Sequence, residues 1–357
     1  IIASFLIINL NPYLLDFFSL SRGYALSLGL MMASVYYVYA FISSENKTKH
    51  IILATIFGGL ATAANFVLLN YFVVSFGIMV MLLVYNFLQD KKRKKFIYSI
   101  VLSTLLFGFF LLFFVPIALK LKEAGALFYG GNKGFWTDTF CTITDRSFYE
   151  LGYNYWFQRL AKGFVILIVS AAIGFVILKA VKKQNNKNHL FLAILLLLLG
   201  LSVLSTIVQH FVFDTLYLID RTAMFLVVLF NLTLVFFVNE LSEKTRQVAL
   251  VTYLAGLFSV VHFFLSFNLT YVLEWKSNAD VKQMLADLEK IKTFWAKKLC
   301  IPVEYIALSW KKNIVTRRRI NPNYVGQLSI FVSGVPFLSR KLLYISSIIL
   351  KKYCGVV

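Results

Sequence analysis

The run from Ile51 to Gln89 carries no formal charge and is about twice the roughly 20 residues that one helix needs to cross a bilayer. A single helix of that length overshoots the hydrocarbon badly, so the run predicts two spans turning near Asn65 to Tyr71. Further apolar runs at about 23–43, 96–119, 163–181, 190–210, 222–239 and 248–267 are each long enough to span, and residues 1–15 read as the end of an earlier span. The chain is 59% hydrophobic and only 15% charged, more apolar surface than a water-soluble domain of 357 residues can hide. The expected class is an all-α integral membrane protein, a polytopic bundle of about eight full spans plus a partial one. Its membrane domain is 1–267 and its extracytoplasmic C-terminal region is 268–357.

The basic loops test this count. "SENKTKH" (44–50), "DKKRKK" (90–95), "KAVKKQNNKNH" (179–189) and "SEKTRQ" (242–247) are short and rich in Lys and Arg, which assigns them to the cytoplasm. For the first two to share a side, an even number of spans must separate them, which two spans within 51–89 provide. Segments 120–162, 210–221 and everything after about 268 then fall outside the cytoplasm. There, Val281, Met284, Leu285, Leu288, Ile291 and Phe294 follow helical spacing after a capping Asn278, which predicts an amphipathic helix.

A net charge of +20 invites a nucleic-acid reading, but its distribution argues against one. From Ile291 onward twelve basic residues face the single acid Glu304, so the tail alone supplies +11. Most of the remainder lies in the short loops, as a topology signal requires. Cys141, Cys300 and Cys354 have no metal or redox spacing, and the four histidines are scattered. Span interiors are almost free of ionisable groups, His262 being the main exception. That argues against a proton- or sodium-coupled transporter.

Outside the spans stands a mixed-charge rim: Asp16, Arg22, Asp138, Asp145, Arg146, Glu150, Arg159, Asp214, Asp220 and Arg221. Such a rim on an apolar body suits a ligand with its tail in the bilayer and a phosphate at the interface. The planar guanidinium matches phosphate oxygens. Interfacial charges also end helices and pair with one another, and Asp220 and Arg221 stand where an anchor pair would. In the longest loop, Trp136 and Asp138 are the better site candidates, since Tyr153 to Trp156 also fit an interfacial aromatic belt. Asp16 reads as a rim or structural acid.

The stretch "NPYLLDFFSLSRGYALSLGLMMASVYYVYAFISSE" resembles a recurrent segment of the GT-C superfamily of multi-pass glycosyltransferases, which includes protein O-mannosyltransferases and the aminoarabinose transferases of lipid A. Arg22, Tyr24, Ala25 and Leu26 match the family's R-x-Y-A-L-like span opening. Arg221 in "DRTAMF" resembles the arginine that opens a late span and faces the lipid-phosphate donor. The resemblance covers roughly residues 9 to 290. It implies sugar transfer from a polyprenyl-phosphate donor to an acceptor outside the cytoplasm, at the outer face of the inner membrane. Arg22 and Arg221 would hold the donor phosphate, with Tyr24, Trp136, Asp138 and Asp220 as substrate contacts. No cofactor is specified, no metal ligands are assigned, and a divalent metal stays open. The family's decisive acid lies in a first external loop, which here is expected upstream of Ile1. A lipid-linked saccharide flippase and a surface-polysaccharide polymerase or ligase are the alternatives.

Overall fold

A computed structural model describes residues 2–20, 23–44, 48–90, 93–125, 129–149, 151, 153–183, 186–242, 246–268 and 272–274, with 286, 287 and 289. The chain forms two compact units, Ile1–Lys276 and Ser277–Val357. In the second, Ala286, Asp287 and Glu289 are helical and exposed, and the rest of the expected amphipathic helix lies outside the described residues. Arg22 also lies outside them.

Among the described residues of the first unit there is no strand, only one antiparallel bridge between Gly131 and Tyr217. Eleven α-helices follow one another: α1 (Ile2–Asn9), α2 (Pro12–Phe18), α3 (Tyr24–Ser43), α4 (Thr48–Ala64), α5 (Leu69–Asp90), α6 (Arg93–Glu123), α7 (Thr142–Ser147), α8 (Tyr155–Val181), α9 (Lys187–Phe213), α10 (Met224–Ser242) and α11 (Arg246–Ser266). In a medium without water each backbone amide must find its partner within the chain, and a helix supplies it locally. Six segments, those of α3, α5, α6, α8, α9 and α10, are long and apolar enough to cross a membrane. α4 is apolar but shorter, and so is the apolar part of α11, Thr252–Ser266.

The long uncharged run divides between α4 and α5. Asn65 adopts an extended backbone and its side chain accepts the Val67 amide at 3.2 Å, capping a short 3-10 turn over Phe66–Leu68 that leads into α5. Residues 1–15, expected as the end of one span, are instead broken into α1 and α2. The Asn11 side chain accepts the amides of Tyr13 and Leu14, and Pro12 starts the second helix where its missing N–H costs nothing.

The core gathers the inner faces of α2 to α5, α9 and α10, with Tyr13, Phe17, Met31, Phe41, Ile51, Tyr71, Phe191 and Phe225 fully buried. α3 and α4 form a close hairpin in which Ser34 donates to the Ala54 carbonyl at 2.9 Å. At its end, Gly23 has φ +76°, and a Cβ there would stand 2.5 Å from the Ala64 carbonyl oxygen.

Helix direction alternates, so the bundle has two distinct ends. At one, Gly23 meets Ala64, Lys122 Nζ reaches the Phe213 carbonyl at 3.4 Å, and Tyr153 meets His262 at 3.2 Å. At the other, Lys187 Nζ donates to the Ser43 carbonyl at 2.7 Å, Thr48 meets Ser99 at 2.6 Å, and Lys179 is paired with the buried Glu240. The helix ends that flank the basic runs, those of α3 and α4, α5 and α6, α8 and α9, and α10 and α11, all belong to this second end. The first end carries the long segment between α6 and α8 and is called the loop-rich end below.

Candidate functional site

At the loop-rich end the segment after α6 is fastened to the one before α10. Gly131 and Tyr217 exchange backbone hydrogen bonds of 3.0 and 2.8 Å, and a Cβ on Gly130 would overlap Leu216. Close approach of two backbones explains why glycines stand here. A π-helical turn over Phe135–Cys141 and α7 then carry the chain across the bundle end. Thr142 Oγ1 accepts the Asp220 amide at 3.4 Å, which ties α7 to the turn that opens α10.

Four charged groups and a phenol converge on that turn. Arg221 Nη1 lies 2.5 Å from Glu274 Oε1, and its guanidinium carbon sits 3.9 Å above the centre of the Tyr129 ring. The Tyr129 hydroxyl donates to the same Glu274 oxygen at 2.5 Å and lies 3.4 Å from Asp220 Oδ2. Arg146 Nε donates to Asp220 Oδ1 at 3.1 Å. Asp220 has φ +46°, a left-handed conformation that aspartate tolerates better than most residues. Two arginines and two carboxylates balance in charge. All are partly or fully withdrawn from solvent, Glu274 most, with 8% of its side chain exposed.

Burial pushes the Glu274 carboxyl above its ordinary value, outweighing the Tyr129 hydrogen bond and the Arg221 charge, which pull it down. Burial also pushes the Tyr129 phenol up, helped by its bond to Glu274, so Tyr129 stays a donor. Glu274 Oε2 and the Tyr13 hydroxyl are both buried and have no hydrogen-bond partner among the described residues. Tyr13 lies within electrostatic range of Glu274, Asp220, Tyr129 and Arg146.

A second network holds Glu274 in place. Asp16 Oδ2 accepts the Tyr149 hydroxyl at 2.7 Å and the Leu273 amide at 2.8 Å, and Asn268 Nδ2 donates to the Tyr149 oxygen at 2.8 Å. Asp16 thereby straps the chain that follows α11 onto the bundle end. Burial raises its carboxyl too, against the lowering effect of both bonds. His262, near the end of α11, faces the Ser147 carbonyl at 3.0 Å and so joins the same end.

Of the residues predicted from sequence, Asp220 and Arg221 are in this cluster. Asp138 is buried and engaged elsewhere: its Oδ2 accepts the amides of Lys133 and Gly134 at 2.6 and 3.0 Å, fixing the glycine turn. Tyr24 packs edge-on against Phe17 at 4.9 Å, as part of the core. Trp136 is 52% exposed and stacks on Phe140 at 4.6 Å. Tyr129, Tyr13 and Glu274 were not singled out by sequence, and Arg146 was only one member of the rim. Glu274 did leave a signal: it is the only acid between Glu243 and Asp280, set in the apolar "YVLEWK".

Among the described residues no three His, Cys, Asp or Glu side chains converge as a metal site requires. The cluster is suited instead to oxyanion recognition, since guanidinium and phenol donors face one point beside an apolar body. No family model, no curated protein and no solved structure matches this chain significantly.

Proposed function

We propose that this protein is a membrane-embedded glycosyltransferase, with Arg221 binding the phosphate of a polyprenyl-phosphate sugar donor. The supporting observation is the Arg221 guanidinium, stacked on Tyr129 and charge-paired with Glu274 at the end of an apolar bundle. The resemblance of residues 9 to 290 to the GT-C superfamily points the same way.

In this reading α4 and α11 cross the membrane with the six longer helices. The basic connections face the cytoplasm, and the loop-rich end faces outward from the inner membrane. The acceptor, a lipid, glycan or protein, arrives from outside the cytoplasm. Arg221 neutralises the charge that collects on the leaving phosphate as the acceptor oxygen bonds the anomeric carbon and the carbon–phosphate oxygen bond breaks.

The test is transfer of labelled sugar from a polyprenyl-phosphate donor by the full chain in proteoliposomes. Arg221→Gln is expected to lower kcat/KM by about 100-fold or more, the scale of losing one donor to a developing oxyanion. Unchanged transfer by that variant contradicts the assignment. Movement of the labelled donor across the bilayer without transfer assigns a flippase instead.

A further inference from the structure

The carboxylate that holds Arg221 is an ill-fitting partner. Glu274 places one oxygen against both Arg221 and Tyr129, while its other oxygen is buried without a hydrogen bond among the described residues. A buried carboxylate oxygen left unpaired is costly. The Tyr13 hydroxyl is also buried without a hydrogen-bond partner among the described residues, and it lies within electrostatic range of the same charged cluster.

A phosphate has more oxygens than a carboxylate. It can accept from Arg221, Tyr129 and Tyr13 together, whereas Glu274 uses only the first two. The cluster is already neutral with Glu274 in place, so an arriving phosphate adds charge unless that carboxylate leaves or takes up a proton. Burial, which disfavours ionised Glu274, makes both exits easier.

We propose that Glu274 is the resting occupant of an anion seat built by Arg221, Tyr129 and Tyr13, and that a lipid-borne phosphate binds there by displacing it. The proposal rests on the reading of Arg221 as a lipid-phosphate contact. Leu273 stays tied to Asp16 at 2.8 Å, so only the Glu274 side chain needs to swing away. Displacement makes affinity a difference between two anions competing for one cation, and the internal competitor screens out weak ones.

Equilibrium binding of farnesyl phosphate, and separately of inorganic phosphate, to the full chain in phosphatidylcholine nanodiscs tests it. Glu274→Gln, which keeps an oxygen for Tyr129 and removes the charge, is expected to bind farnesyl phosphate about tenfold more tightly than wild type. Glu274→Asp, one methylene too short to keep its bond to Arg221, is expected to fall between them and carries the test should the first variant fail to fold. Arg221→Gln is expected to lose binding. Unchanged or weaker binding by both Glu274 variants, with Arg221→Gln still defective, overturns the displacement and leaves the Arg221 reading intact. Wild-type affinity in Arg221→Gln overturns the Arg221 reading itself. Inorganic phosphate binding as tightly as farnesyl phosphate, and tightening equally in Glu274→Gln, supports displacement but assigns the seat to free phosphate.

Discussion

At the loop-rich end Asp138 is buried and Asp16 half-buried, and each carboxylate oxygen that bonds there accepts two donors. The Asp16 carboxyl is raised by burial, so the folded state binds its proton more tightly than the unfolded state does. Stability therefore falls as pH rises from the ordinary value of 3.8 through the raised folded value. Asp16→Asn keeps an accepting oxygen and is expected to flatten that part of the Tm-against-pH profile in detergent. An unchanged slope contradicts this assignment. For Asp138 the expected effect is mechanical: Asp138→Ala leaves the Lys133 and Gly134 amides unpaired at a cost of about 1–3 kcal/mol. Thermal unfolding should show that loss, while farnesyl-phosphate affinity of the folded fraction stays at wild type. A selective loss of affinity returns Asp138 to the ligand site. At this scale the sequence was partly legible. The Asp220–Arg221 pair announces itself as adjacent charges opening an apolar run, and Glu274 as a lone acid in apolar surroundings. That Arg221 would lie on Tyr129 and bind Glu274 could not be read, because contacts between distant segments leave no periodicity behind.

Hydropathy located the long apolar helices because lipid would impose the same demand on every turn of a span. It placed their ends less well. α6 runs from Arg93 to Glu123 and α8 begins at Tyr155, beyond the apolar runs at both places, because backbone hydrogen bonding continues into polar turns. The π-turn and α7 were not anticipated: they are short, and the Asp138 carboxylate and a glycine turn fix them rather than an apolar stripe. The element with the sharpest energetic consequence is the contact between α8 and α10, where Lys179 and Glu240 are paired, with Glu240 fully buried. Removing either partner leaves a buried charge alone, so Lys179→Met and Glu240→Leu are each expected to destabilise by about 3–5 kcal/mol, and the double variant by much less. Additive losses in an unfolding titration contradict that coupling. In the α3–α4 hairpin, Gly23→Ala meets both the positive φ and the Ala64 carbonyl, and a lowered Tm is expected there.

The whole molecule separates two kinds of surface. The helix ends flanking the basic connections collect at one end of the bundle, and the neutral cluster of Arg146, Asp220, Arg221 and Glu274 lies at the other, with apolar helices between them. This separation is what the parity of basic loops along the chain foreshadowed, since each apolar helix reverses the chain. A lipid-borne phosphate has a distinct address in each case: the loop-rich end in the proposed glycosyltransferase, and both ends in a flippase that carries it across. Photo-crosslinking with a farnesyl phosphate bearing a diazirine next to the phosphate, followed by mass mapping on the full chain, reads that address directly. The expected adducts fall within 129–149, 216–223 and 272–274. Adducts concentrated around Lys179, His189 and Glu240 instead would contradict the placement of the site at the loop-rich end.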